Sequence, residues 1–153
     1  MGQIEANLNI DKTSFALGMI NCFVEMVACG VKQLAISPPL TPEIYDLVKD
    51  PSDDIVRGFG IKSYLEKALL ITALQSGEFT KNKWAILYYK DDQILDEYLG
   101  LKRKRHELEV AGEYSDEANR EISRTFMRLL SYPDDVIEVK LSQERPSDPF
   151  LLT

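Results

Sequence analysis

The chain has 153 residues, 44% of them hydrophobic and 28% charged, which is typical of one globular domain large enough to bury its own core. Its formal net charge of −7 argues against a nucleic-acid partner and against an anionic membrane surface, because both attract basic proteins. The most apolar stretch, residues 15–31, contains Asn21 and Glu25 and is shorter than the ~20 residues of a membrane span. No membrane segment is therefore predicted, and a cytoplasmic protein is expected.

The first predicted element is a helix from Phe15 to Cys29, capped at its start by Thr13 or Ser14 and ended by Gly30. Its apolar residues fall on two faces. One face carries Phe15, Met19, Cys22, Met26 and Cys29, and the other carries Leu17, Ile20, Val24 and Val27. A helix that is apolar on two sides is predicted to be buried on both, against its own sheet and against further helices or a second subunit. This pattern predicts a homodimer or another homo-oligomer.

Sulfur-bearing residues form a stripe along this helix. Cys22 and Cys29 are two turns apart, and their Cα atoms are expected to lie about 10 Å from each other, too far for a disulfide. Free thiols are typical of a reducing compartment. Together with Met19 and Met26 they offer soft metal ligands, but no CxxC or Cys/His spacing is present. Packing in the core is the favoured interpretation, and no metal or cofactor is predicted.

A strand is predicted from Val31 to Ser37, where Pro38 and Pro39 end it. Residues 41–43, Thr-Pro-Glu, then supply a cap, a first-turn proline and an acid. The helix that they start is predicted to end near Asp50–Pro51, with a second helical piece over residues 52–56.

The pattern of residues 61–74 fits either a strand pair or a strand that runs into a helix. A polar loop over 76–83 leads to the clearest strand, residues 84–89, with the sequence Trp-Ala-Ile-Leu-Tyr-Tyr. Helical periodicity follows from 91 to 112 and from 115 to 130. Residues 133–141 fit a last short helix, with a strand over 137–141 as the alternative.

These elements predict an α/β or α+β fold: a small, three- to four-stranded mixed sheet, a central N-terminal helix and a helical C-terminal segment. Helices between strands predict at least one right-handed βαβ crossover. Residues 1–144 are expected to form a single domain that begins with a loose arm or short strand over 1–12. Residues 145–153 are expected to be a flexible tail.

The leading candidate for a ligand site is the loop from Ser37 to Thr41. It joins the carboxyl end of a strand to a helix N-terminus, where open α/β sheets bind ligands and where free N–H groups attract anions. Tyr88 and Lys90 would lie on the same side if the strand 84–89 ran parallel. These four residues are the predicted ligand-binding set, and the alternative is a rigid connector with an ordinary helix cap.

Asn21 and Glu25 form the polar line of the first helix and are added to the ligand-binding set. Glu25 is also the only candidate for an acid or base, because a carboxylate in a partly dry site has a raised pKa. The alternative is that this line faces water. The basic run 102–106 has the charge to hold phosphates, but flanking acids favour a solvated, salt-bridged surface.

No glycine-rich phosphate loop, Walker sequence or nucleophile elbow is present. The leading expectation is therefore a non-enzymatic protein, either an oligomeric interaction domain or a small-ligand-binding domain. The alternative is an enzyme or sensor that acts on a small anionic metabolite at the loop from Ser37 to Thr41. Neither a nucleic acid nor a membrane is expected as a partner.

Overall fold

The computed structural model describes residues 9–144 and residue 146. The predicted tail, apart from residue 146, and residues 1–8 of the predicted arm lie outside the described residues. The elements in chain order are α1 (Lys12–Ala28), β1 (Leu34–Ile36), α2 (Pro42–Phe59), β2 (Lys62–Glu66), α3 (Gly77–Thr80), β3 (Ala85–Tyr89), α4 (Asp92–Val110), α5 (Asp116–Leu129) and α6 (Asp134–Leu141). None of the helices in this described part is long and apolar enough to cross a membrane.

The three strands form one sheet in the order β1-β3-β2, and both neighbouring pairs are antiparallel. The α+β class with a helical C-terminal segment is confirmed. Because β1 and β2 both run opposite to β3, they are parallel to each other, and α2 connects them. The expected βαβ unit is therefore present in a split form, with β3 inserted between its strands, and no two neighbouring strands of the described sheet are parallel.

The sheet separates two apolar layers. Because side chains alternate along a strand, β3 contributes Leu87 and Tyr89 to one layer and Ile86 and Tyr88 to the other. The first layer is closed by α4, α5 and α6, and the second by α1 and α2. All five residues of β3 are buried, as expected for a central strand covered on both faces.

The first helix buries only one of its two apolar faces. Ala16, Ile20, Val24 and Val27 are buried against α2 and the sheet. Cys22 and Cys29 are exposed free thiols, and Met26 is 38% exposed. The prediction that the sulfur stripe packs in the core is therefore wrong. The physical reason is that α2 and the three-stranded sheet both contact the same side of α1.

The second helix continues through Pro51, so the predicted break at this residue is wrong. A proline inside a helix leaves the carbonyl of the residue four positions earlier without its N–H donor. That residue is Leu47, which is 63% exposed, so water can replace the missing donor. Val48, Ser52 and Val56 form the buried face that holds the two halves in one helix.

The end of α2 provides a matched pair of glycines. Gly60 has a positive φ of 68°, whereas Gly58 lies inside the exposed last turn with open space around it. We expect Gly60→Ala to lower the free energy of unfolding by about 1 kcal/mol, because a Cβ is strained in the left-handed region. Gly58→Ala should raise it by about 0.5–1 kcal/mol. Urea denaturation measures both, and equal effects of the two substitutions would contradict the assigned helix end.

Residues 67–76 form neither of the predicted alternatives, because β2 is followed by a segment without helix or strand. Several of its backbone N–H groups donate to side chains instead. The N–H of Leu70 donates to the hydroxyl of Tyr98 (3.1 Å), and that of Ala73 donates to Ser123 (3.0 Å). Gly77–Thr80 forms a short helix inside the segment that is predicted as a polar loop. Of the two alternatives for residues 137–141, the helix is present, as part of Asp134–Leu141.

Candidate functional site

The connection between β1 and α2 is bound to the start of β3. The hydroxyl of Ser37 accepts a hydrogen bond from the N–H of Ile86 (2.9 Å) and donates one to the carbonyl of Pro38 (2.9 Å). Leu40 and Trp84 then exchange two backbone hydrogen bonds, of 2.8 and 2.7 Å. Pro38 and Pro39 have no backbone N–H group to donate to β3. The side chain of Ser37 forms a hydrogen bond with the β3 backbone next to them instead. The loop is thereby fixed against Trp84.

A cleft opens beside this loop and encloses about 630 Å³, part of it open to solvent. Its walls come from α1, β1, the segment 67–76 and the end of α5. The apolar residues that form them are Phe23, Ile36, Leu69, Leu74, Leu130 and Tyr132.

Two further concave surfaces adjoin the cleft. The lysine depression contains Lys67, Lys81 and Lys83 beside Trp84. A second groove lies on the other side of Pro39 and is lined by Lys12, Phe15, Thr41, Ile44 and again Lys83. Lys83 lines all three surfaces, so this residue is common to the whole region.

The region is basic although the chain is acidic. Five lysines line the three surfaces: Lys12, Lys32, Lys67, Lys81 and Lys83. None of the described residues that line them is an aspartate or glutamate. Within residues 9–144, none of these lysines has a carboxylate within 4 Å. Clustered charge of one sign beside low-dielectric walls creates a local positive potential, which attracts anions.

Lys32 has the most apolar surroundings of the five. Its ammonium donates to the carbonyl of Leu130 at 2.6 Å and lies 5.5 Å from the centre of the Tyr132 ring. Leu130 ends α5, so the charge is placed at the negative end of a helix dipole. Burial lowers the pKa of Lys32, and burial also raises the pKa of Tyr132.

Trp84 marks the boundary between the cleft and the lysine depression, since it lines both. Its ring packs edge-to-face against Tyr45, with centroids 5.4 Å apart, and the ammonium of Lys67 lies 4.6 Å from the ring centre. It is the only tryptophan of the chain. Its fluorescence is therefore an intrinsic reporter of binding at this boundary.

Two of the predicted ligand-binding residues, Ser37 and Thr41, lie at this region. The hydroxyl of Thr41 accepts a hydrogen bond from the N–H of Ile44 (3.3 Å) and caps α2.

The other two residues of the predicted set that was assigned to this loop lie elsewhere. Tyr88 is fully buried in the core, where its hydroxyl is 2.9 Å from that of Ser52 and burial raises its pKa. Lys90 lies at the opposite end of β3 and donates to the carbonyl of Ala28 (3.1 Å). The prediction that Tyr88 and Lys90 lie beside the loop from Ser37 to Thr41 required β3 to run parallel to β1. Because β3 is antiparallel to β1, these two residues lie away from the loop.

Asn21 and Glu25 are exposed on the outward face of α1, away from the cleft. A role for Glu25 as an acid or base stays a prediction, as does the homo-oligomer. Within the described part of the chain, no three His, Cys, Asp or Glu side chains are arranged to hold a metal ion.

The basic run in α4 makes contacts inside the protein. Lys102 donates to Glu66 and to the carbonyl of Ala68, both at 2.8 Å. Arg105 pairs with Glu109 at 2.9 Å and also donates to the carbonyl of Ile71. At these two positions the run is a salt-bridged helix surface.

The lysines of the cleft and the depression were not among the residues predicted from sequence. The available signal was Lys81, Lys83 and Trp84, cationic and aromatic residues that alternate with others in a polar loop directly before the clearest strand. Lys32 and Lys67 are distant in sequence, and only the fold brings them to the same region.

Comparison with protein-family models, with curated proteins and with solved structures finds no match for this chain. The function is therefore inferred from the geometry of its own residues.

Proposed function

We propose that the chain is a ligand-binding protein that takes a small anionic molecule in the cleft beside the loop from Ser37 to Thr41. The single observation that carries this proposal is the lining: five lysines and no described acidic residue, in a chain of net charge −7. An anion provides the counter-charge that no described carboxylate supplies to these lysines.

The energetics favour binding at Lys83, because the ammonium of the other cleft lysine, Lys32, already donates to the carbonyl of Leu130. A hydrogen bond to a charged group contributes about 1.5–3 kcal/mol, roughly twice a neutral one. Lys83 is half-buried next to Trp84 in sequence, and its ammonium lies 5.8 Å from the centre of the Phe79 ring. Partial removal from water strengthens its attraction for an anion relative to a fully exposed lysine.

The composition of the cleft supports binding rather than catalysis. The titratable side chains among its described lining residues are Lys32, Lys83 and Tyr132. None of them is paired with a nucleophile and an orienting group, which is the arrangement that acyl or phosphoryl transfer requires.

Binding of anilinonaphthalene sulfonate (ANS), an aromatic molecule with one negative charge, tests the proposal. We expect ANS fluorescence to rise with a saturable isotherm and Lys83→Glu to weaken binding by about tenfold or more, because an attraction is replaced by a repulsion. Lys104→Glu is the matched control, since it makes the same charge change on an exposed part of α4. Circular dichroism melting verifies that both variants fold. Equal ANS affinity in the two variants would refute the proposal.

A further inference from the structure

The cleft has an apolar interior and a cationic rim, and the two are continuous. Leu69 lines both the cleft and the lysine depression, and Lys83 lines both as well. The apolar walls come from four different parts of the fold, so the cleft is concave and remains open to solvent on one side. A molecule that reaches from Lys83 into the cleft passes from charge to hydrocarbon contacts.

Two hydroxyl groups of the interior are already engaged in hydrogen bonds within the protein. The hydroxyl of Ser37 has both a donor and an acceptor within the protein, and that of Thr80 donates to the carbonyl of Gly77 (3.3 Å). No buried side-chain nitrogen or oxygen among the described residues is left without a hydrogen-bond partner. A sugar or another polyhydroxyl ligand would have to displace these bonds, whereas an apolar group would not.

On the premise of the proposed function, we infer that the ligand is an amphipathic anion: an apolar body inserted between the walls of the cleft, with one anionic head at Lys83. A medium-chain carboxylic acid has this chemistry. A polyanion without an apolar body fits the rim alone, and a neutral hydrocarbon leaves the lysines without a counter-charge.

Titration with carboxylates of increasing chain length tests this inference, with Trp84 fluorescence and isothermal titration calorimetry as two independent readouts. The probes are butanoate, hexanoate and octanoate below its micelle concentration, with inorganic phosphate as an anion without a body and octanol as a body without a charge. Each buried methylene is worth about fourfold in affinity, which is 0.8 kcal/mol converted at room temperature. We expect octanoate to bind at least about tenfold more tightly than butanoate, and more tightly than phosphate or octanol.

Two variants separate the body from the head. Leu69→Asn places a polar group in the half-buried wall and should reduce the preference for octanoate over butanoate to about threefold or less. Leu47→Asn is its matched control, because Leu47 is 63% exposed on α2 and does not line the cleft. Lys83→Glu should weaken all carboxylates together while the dependence on chain length persists.

The outcomes distinguish this inference from the proposed function. If phosphate and butanoate bind as tightly as octanoate and Lys83→Glu weakens them all, the amphipathic ligand is ruled out and the anion site stands. If octanol binds as tightly as octanoate, the anionic head is ruled out. If neither ANS nor any carboxylate or phosphate binds, both proposals fail together.

Discussion

Replacing Tyr98 with phenylalanine is expected to lower the free energy of unfolding by about 2–4 kcal/mol, although only one oxygen is removed. Tyr98 is fully buried, and its hydroxyl donates to the carboxylate of Glu66 (2.8 Å) while accepting the N–H of Leu70 (3.1 Å). A hydrogen bond to a charged group is worth about 1.5–3 kcal/mol, and a buried N–H left without a partner costs about 1–3 kcal/mol. The ring itself stays in contact with Phe126 in either variant.

Tyr114→Phe is the matched control for this substitution. Its hydroxyl donates to Asn119 at 2.7 Å, but the residue is half-exposed, so water can replace the lost bond. We expect a loss below about 1 kcal/mol, measured for both variants by urea denaturation with a shared slope. Equal losses in the two variants would show that the Tyr98 hydroxyl does not organise the segment that follows β2.

The Glu66 cluster couples the fold to the cleft. Glu66 is 4% exposed and binds Tyr98, Lys102 and the N–H of Ala68. These bonds hold the start of the segment 67–76, which supplies Leu69 and Leu74 to the cleft walls. A buried carboxylate with several donors is costly to disrupt, because the remaining charge is then left unpaired. The shape of the cleft therefore depends on contacts made on the opposite side of this segment.

Local sequence signals identify most of the elements. The apolar period of α1, the glycine after it and the β-branched and aromatic run of β3 are properties of neighbouring residues, and they identify these elements. The start of α1 is predicted wrongly, because the helix begins at Lys12 with Asp11 as its cap instead of at Phe15 with Thr13 or Ser14. The Thr-Pro-Glu signature starts α2 at the predicted position. Signals of this kind require no knowledge of what packs against them.

The failures concern long-range contacts. Whether the outer face of α1 is buried depends on which other strands and helices pack against it. The sequence of α1 by itself does not reveal those contacts. The segment 67–76 is held by Tyr98 and Ser123, which come from α4 and α5, so no local period marks it. The continuity of α2 through Pro51 depends on which side of the helix faces water.

The candidate site was predictable in part for the same reason. The loop from Ser37 to Thr41 is recognisable because prolines and a helix cap are adjacent in sequence, and the cleft does lie beside it. The lysines come from four separate segments, and the antiparallel direction of β3 carries Lys90 away while bringing Lys83 in. Strand direction, which the sequence leaves open, decides which cations reach the loop.

Alkaline pH is expected to destabilise the protein through two buried tyrosines. Burial raises the pKa of Tyr88 and of Tyr98 well above the ordinary value of about 10. The folded state therefore keeps both phenol protons above pH 10, whereas the unfolded chain releases them. Because the unfolded state then binds fewer protons, stability is fully present below about pH 10 and falls as the pH rises beyond it.

Each group contributes about 1.4 kcal/mol per pH unit above that value, so the two together should lower the free energy of unfolding by about 2–3 kcal/mol between about pH 9 and pH 11. Lys32 opposes part of this loss, because burial lowers the pKa of its ammonium group. Above that lowered pKa the unfolded chain binds more protons at this lysine than the folded state does, so this contribution to stability rises with pH. Urea denaturation across this range measures the slope, and Tyr88→Phe should remove about half of the loss that is assigned to Tyr88 and Tyr98. In the native protein, the 295 nm absorbance should stay below that of seven tyrosinates until unfolding. Full tyrosinate absorbance at pH 11 with unchanged circular dichroism would contradict the burial of these hydroxyls.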